Sequence, residues 1–276
     1  MINATGNRMT REIARQSQLA DRINDLQIQV SSGKRLQRAS DDPVAARRIA
    51  TIGIAQASAT TWAANVASAS AQVSQADAAL GSVSNLLVRA RELALSAASG
   101  TMNSADRASV ASELAGIADE IDGLAASRDA NGEALFAPGA AKVVRFDADI
   151  SFAPVPSAAE AFVVGDNPLS TGLRDAAAAI ASGDMGAINA ALGTLAASIT
   201  HVADQRAAVG LAGGRLERIG DGLAARDIVL ADERSTIEDT DLSVAIAQLH
   251  ATNLTLEAAQ ASFARINRQT LFDILG

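Results

Sequence analysis

Few residues in this 276-residue chain could do covalent chemistry, and their spacing argues against it. His201 and His250 are the only two histidines, cysteine is absent, and no tyrosine occurs. No nucleophile elbow and no His-Glu-x-x-His pattern is present, so neither acyl transfer nor zinc hydrolysis has its usual side chains. The acidic pairs Asp41-Asp42 and Glu238-Asp239-Asp241 could be imagined as divalent-cation ligands. Their position, just before segments with helical periodicity, favours helix capping and dipole pairing. "LAGGRL" at Leu211–Leu216 has two glycines but no preceding strand, and it lies inside a helical pattern, so it is no phosphate loop. The reading is therefore not an enzyme, with no catalytic, cofactor-binding or metal-binding residue and no cofactor expected.

The elements that must position any function are written in the apolar residues. Hydrophobic residues make up 49% of the chain but aromatics only 3%, leaving alanine, leucine, isoleucine and valine to build the core. Alanine and leucine favour helix. The net charge of −8 argues against nucleic acid, which needs a cationic face. No run of about 18 apolar residues suggests a membrane span, and the opening "MINATGNRMTREIARQ" lacks the apolar core of a cleaved signal peptide. Cytoplasmic residence and export without a signal peptide both stay open on these grounds.

A first helix is expected from about residue 7 to 32. Met9, Ile23 and Val30 share one heptad position, broken by Gln16, and Leu19 and Leu26 follow on a second. Gly33 suits a left-handed helix stop. Pro43 fits a first helical turn with Asp42 as its N-cap, so 33–42 reads as a connector, with Lys34, Arg35 and Arg38 beside the first helix's C-terminal dipole. The second helix carries the strongest pattern. Ile52, Ala59, Val66, Val73, Leu80, Leu87 and Ala94 repeat every seven residues, shadowed three behind by Ala55, Trp62, Ala69, Ala76, Val83, Ala90 and Ala97. Such spacing makes a left-handed coiled-coil seam, and a helix from Pro43 to Ser99 would be roughly 85 Å long. A third helix follows, with Val110, Leu114, Ile117, Ile121 and Leu124 as its apolar face, ending near Asn131-Gly132.

Residues 137–172 hold four of the five prolines, and "KVVRF", "DISF" and "AFVV" suggest short strands. Helix resumes near Leu173, with Ile188, Leu195, Val202, Val209, Leu216, Leu223 and Leu230 at sevens. Ser235 and Glu238 fit a capping box for a last helix, which carries Leu242, Leu249, Leu256 and Phe263. The expected fold is mainly α: a long antiparallel coiled-coil bundle built from both chain ends, with a small β-containing insertion at the tip. Its expected parts are terminal coiled-coil segments 1–42 and 232–276, a long bundle of 43–136 and 173–231, and a β-rich insertion at 137–172. Terminal helices of this kind are marginal alone and gain stability by packing on copies or neighbours. That favours an assembly subunit.

The two ends also carry a resemblance. "LQIQVSSGKRLQRASDDPVAARRI" is similar to the N-terminal motif of the bacterial flagellin superfamily, and "ERSTIEDTDLSVAIAQL" with "LEAAQASFARINRQTLFDIL" resembles its C-terminal end. "RDANGEALFA" and "ALGSVSNLLVRARELALSAASGTMNSADRASVASEL" match the pattern between. Within the superfamily, the connector motif Ser40, Asp41, Asp42, Pro43 followed by Val-Ala-Ala, together with "RSTIEDTDL" and "NGEALF", resembles the hook–filament junction branch (the FlgL type of flagellar hook-associated protein). The resemblance implies a structural subunit of the bacterial flagellum that adapts hook to filament. The alternative is a small filament-forming flagellin or flagellin-like surface protein. It further implies extracellular location in the flagellum after type III export without a cleaved signal peptide. Expected partners are copies of itself in a ring, the other junction protein, flagellin, and an export chaperone before secretion, with no nucleic acid and no membrane insertion. The inter-subunit assembly core is expected at Leu19, Ile23, Leu26, Val30, Leu242, Leu249, Leu256, Phe263, Ile266 and Leu271.

Overall fold

Seven helices and four two-residue strands follow one another in the computed structural model, which describes the backbone of residues 2–275 and, within it, the side chains of residues 7 and 9–265. The helices are α1 (Ile2–Ser32), α2 (Pro43–Ala97), α3 (Ser104–Ala125), α4 (Ala158–Phe162), α5 (Leu169–Ser182), α6 (Met185–Glu238) and α7 (Leu242–Leu275). The strands are β1 (Val144–Arg145), β2 (Ser151–Phe152), β3 (Val163–Val164) and β4 (Asn167–Pro168). The chain divides into two compact units. One holds residues 1–57 and 227–276, the other residues 58–226.

The larger unit is built on the heptads. From Ala59 to Ala94 every residue of the leading α2 row is buried, and so are Ile188, Leu195, Val202, Val209, Leu216 and Leu223 of α6. Alanine fills most of the second α2 row, which lets helices approach closely. Glycine does the same from α6. A Cβ at Gly213 would lie 3.2 Å from Val73 Cγ1 and one at Gly220 3.5 Å from Val66 Cγ1. The close approach accounts for Gly213 of "LAGGRL" within a helix. An 18-residue window of α6 reaches a mean hydropathy of 1.2, with 28% of its residues buried in this core. Helix α3 packs on α5, and Arg174 spans Asp119 and Asp122 at 2.8 and 2.7 Å.

Each start and stop has a local cause. Asn103 caps α3 by accepting from the Asp106 amide at 2.9 Å. Helix α4 begins at a capping box, with Ser157 and Glu160 satisfying each other's backbone amides. The expected strand "AFVV" is therefore helical as far as Phe162, and only Val163-Val164 is extended. The uninterrupted helix expected from Leu173 is in fact two. Gly183 (φ 75°) stops α5 in the left-handed conformation, and Asp184 starts α6 by accepting from the Gly186 amide at 2.8 Å.

Segment 137–172 holds the two antiparallel hairpins, with Val144 opposite Phe152 and Val163 opposite Pro168. Its aromatic residues join the helical core: Phe146 lies 4.7 Å from Phe152, and Phe162 meets Phe136 edge-on at 4.9 Å. Asn65 of α2 donates to the Arg145 carbonyl at 2.9 Å.

Candidate assembly site

The smaller unit brings the two ends of the chain together. Helices α1 and α7 pack on each other, burying Ile23, Leu26 and Ala245. Leu19, Val30, Leu249, Leu256 and Phe263 are half-buried, and Leu242 is exposed. The side chains of Ile266 and Leu271 lie outside the described residues. The seam read from the heptads is thus occupied within the chain, at its best-buried point by Ile23 and Leu26.

The two connectors are stitched to each other. The Arg35 amide donates to the Glu238 carbonyl at 2.8 Å and the Thr240 amide to the Gly33 carbonyl at 2.9 Å. Arg35 Nη2 donates to the Ile237 carbonyl at 2.9 Å. The Glu238 carboxylate takes Lys34 Nζ and, at 2.8 Å, Arg234 Nε. Those two cations hold its carboxyl below the usual range, Lys34 first. Arg48 grips Glu233 through Nε and Nη2 at 2.6 and 2.7 Å. Lys34 and Arg35, expected to offset the dipole of α1, instead serve the C-terminal end of α6.

The connector motif is a pair of nested turns. Asp41 Oδ2 accepts from the Arg38 amide at 2.8 Å and the Gln37 amide at 3.2 Å. Ser40 Oγ lies 3.4 Å from Asp41 Oδ1. Asp42 Oδ1 accepts from the amides of Val44 and Ala45 at 3.1 and 3.0 Å, so it caps α2 with Pro43 in the first turn. Glu238 and Ser235 do not start the last helix, as a capping box would have them do. Helix α6 runs through both, because Glu238 is held by Lys34 and Arg234. Asp241 caps α7 instead, accepting from the Ser243 amide at 2.9 Å. Among the described residues no group of three metal-ligating side chains converges. His201 ties α6 to α4, its Nε2 donating to the Glu160 carbonyl at 2.9 Å.

Among the charged and polar residues that face outward stand several apolar ones. Met9, Ile13, Ile28, Val44, Ile54, Ile228, Val229, Leu242, Val244, Ile246 and Leu254 are the exposed large hydrophobic residues of this unit. Leu254, 68% exposed, stands on the side of α7 opposite Leu249 and Leu256, since each residue turns the helix by about 100°. Met9 and Leu242 were read from the heptads; sequence reasoning passed over the others because they fall outside the strongest seam.

Two helical ends paired in one unit, joined by stitched connectors and showing apolar faces outward, define a helical structural subunit. The family model for the bacterial flagellin N-terminal helical region matches residues 3–140, and that for the C-terminal helical region matches residues 192–275. The chain belongs to the bacterial flagellin family, a family of structural subunits of the flagellum. Similar folds include a candidate flagellar hook-associated protein from Vibrio parahaemolyticus, with a TM-score of 0.66 at 17% identity over 72% of this chain and 100% of that one. FlgL from Xanthomonas campestris gives 0.56 at 13% identity, covering 66% and 98%. Bacillus cereus flagellin gives 0.48 at 25% identity, covering 58% and 88%. No curated protein sequence matches the chain.

Proposed function

We propose that this subunit is the adaptor at the hook–filament junction, on which the flagellin filament is assembled. The observation that carries the assembly role is the outward apolar surface of the terminal unit. We assign partner contact to the exposed Ile13, Ile28, Val244 and Leu254. We place the inter-subunit contacts on that surface, together with the half-buried Leu19, Val30, Leu249, Leu256 and Phe263. The choice of junction over filament rests on the connector motif at 40–43, "RSTIEDTDL" and "NGEALF", which resemble the junction branch. In this role the partners are copies of the chain in a ring, the second junction protein and flagellin. A chaperone holds the chain before type III export, which needs no cleaved signal peptide, and the subunit works outside the cell.

Deleting the gene and viewing cells by electron microscopy tests the role. The expected result is hooks without filaments, with flagellin monomer in the medium, and rescue by the native chain but not by Leu254→Asp. Normal filaments in the deletion strain contradict it and favour a minor flagellin, whose purified chain would polymerise alone.

A further inference from the structure

The loop after α3 holds the only Asn-Gly pair in the sequence, Asn131-Gly132, and such a pair can modify itself. The glycine amide nitrogen attacks the asparagine side-chain carbonyl carbon and a C–N bond forms. The amide proton and the side-chain NH2 leave together as ammonia. Water then opens the cyclic imide to aspartate or isoaspartate, so water is the one co-reactant. Glycine favours the attack, because no Cβ crowds its nitrogen and its backbone turns freely. Asn131 is exposed, and a Cβ at Gly132 would meet nothing within 4 Å. Packing therefore does not shield the pair.

Hydrogen bonding to the buried Asp129 does shield it. The Gly132 amide, which would be the nucleophile, donates to the Asp129 carbonyl at 2.9 Å. That bond closes a tight turn with Asn131 inside it. Asp129 Oδ1 accepts from the Asn131 amide at 2.9 Å and the Glu133 amide at 3.0 Å. The Asp129 amide donates to the Glu133 carbonyl at 2.8 Å, and Arg128 Nη1 donates to the Gly132 carbonyl at 2.7 Å. The turn is anchored on α2, where Gln72 Nε2 donates to Asp129 Oδ2 and Gln75 Nε2 to the Arg128 carbonyl, both at 2.9 Å. Attack needs the glycine nitrogen free of its acceptor and swung toward the Asn131 side chain. The closed turn denies both.

We propose that Asn131 is a self-deamidation site guarded by Asp129: conversion is held off while the Asp129 turn is closed and proceeds when it opens. The product cannot restore the turn as it was. It adds a carboxylate between Asp129 and Glu133 in the sequence, and the isoaspartate form lengthens the main chain inside a loop closed by the Asp129–Glu133 bonds. Leu135 and Phe136, the buried residues that follow, lose the loop that positions them. A converted chain is thereby marked as one whose loop has been open.

The test incubates the purified full chain at mildly alkaline pH and follows conversion at Asn131 and Asn103 by peptide mass mapping. Asn103 precedes a serine and caps α3 through its own side chain, so it reports general loosening of the fold. The folded native chain should convert at Asn131 at least about tenfold more slowly than the same chain in urea. Asp129→Ala should raise the folded rate at Asn131 about tenfold and leave Asn103 unchanged. Gln72→Ala, which frees the guard from α2 without removing it, should raise it less, and Asn131→Gln should remove the signal. Should Asp129→Ala lose the native circular dichroism, Gln72→Ala carries the test through a rise at Asn131 alone. A folded native rate equal to the urea rate, no rise in the folded variants, or an equal rise at Asn103 overturns the guard. No conversion in urea overturns the site itself.

Discussion

The two units are built from the same alanine- and leucine-rich alphabet and use it in opposite ways. The larger unit buries 35 apolar residues in one cluster and, among the described residues, exposes only five large ones: Val88, Leu95, Val143, Met185 and Leu211. Among its described residues the terminal unit buries four, Ile23, Leu26, Ile52 and Ala245, and exposes the eleven named above. Hydrophobic stabilisation scales with the area removed from water. The larger unit therefore holds itself together, whereas the terminal unit leaves more of its large apolar side chains exposed. In the proposed role, neighbours would cover those exposed residues.

Mutations should break the contrast in a graded series. Leu80→Ala, at a fully buried seam position, should cost about 3 kcal/mol in urea unfolding of the purified chain. Gly213→Leu should cost about 1–3 kcal/mol by forcing α6 away from Val73, where even a Cβ is tight. Gly210→Ala, in the same helix but facing open space, should instead stabilise by about 0.5–1 kcal/mol. Leu254→Ala should change monomer stability by less than about 0.5 kcal/mol while reducing incorporation into flagella. If its stability falls as far as that of Leu80→Ala, the two units are not different in kind.

Acid offers a finer comparison. The folded Glu238 carboxyl is depressed, so its stabilising contribution is fully present above the ordinary carboxylate range and is lost as pH falls through the lower folded value. Protection of the connector amides of Arg35 and Thr240, measured against their intrinsic exchange rate at each pH, should fall as pH drops below the ordinary carboxylate range. Glu238→Gln should remove that dependence.

The heptads alone make the larger unit legible. Seven-residue spacing from Ile52 to Ala94 translates directly into burial, because a long seam has one solution. Shorter features needed context. Ser157 and Glu160 form a sequence-visible capping box, yet the β-branched run after it suggests a strand. Ser235 and Glu238 have the same spacing and form no cap, because Lys34, 204 residues away, takes the carboxylate. The terminal unit was only half legible. Periodicity located the α1–α7 seam, but Leu254 and Ile13 lie outside it, and no spacing rule reports which chain supplies a partner. The hairpin's tie to α6 was invisible, since Asp147 meets Arg226 from 79 residues away.

Hydrogen–deuterium exchange on the free purified chain and on the same chain in sheared flagella tests the central claim most directly. The claim is that the terminal unit is completed by neighbours. Amides of α1 and α7 should exchange far faster than those of α3 and the seam of α2 in the free chain, and become protected in flagella. Equal protection of both units in the free chain, unchanged on incorporation, would contradict it.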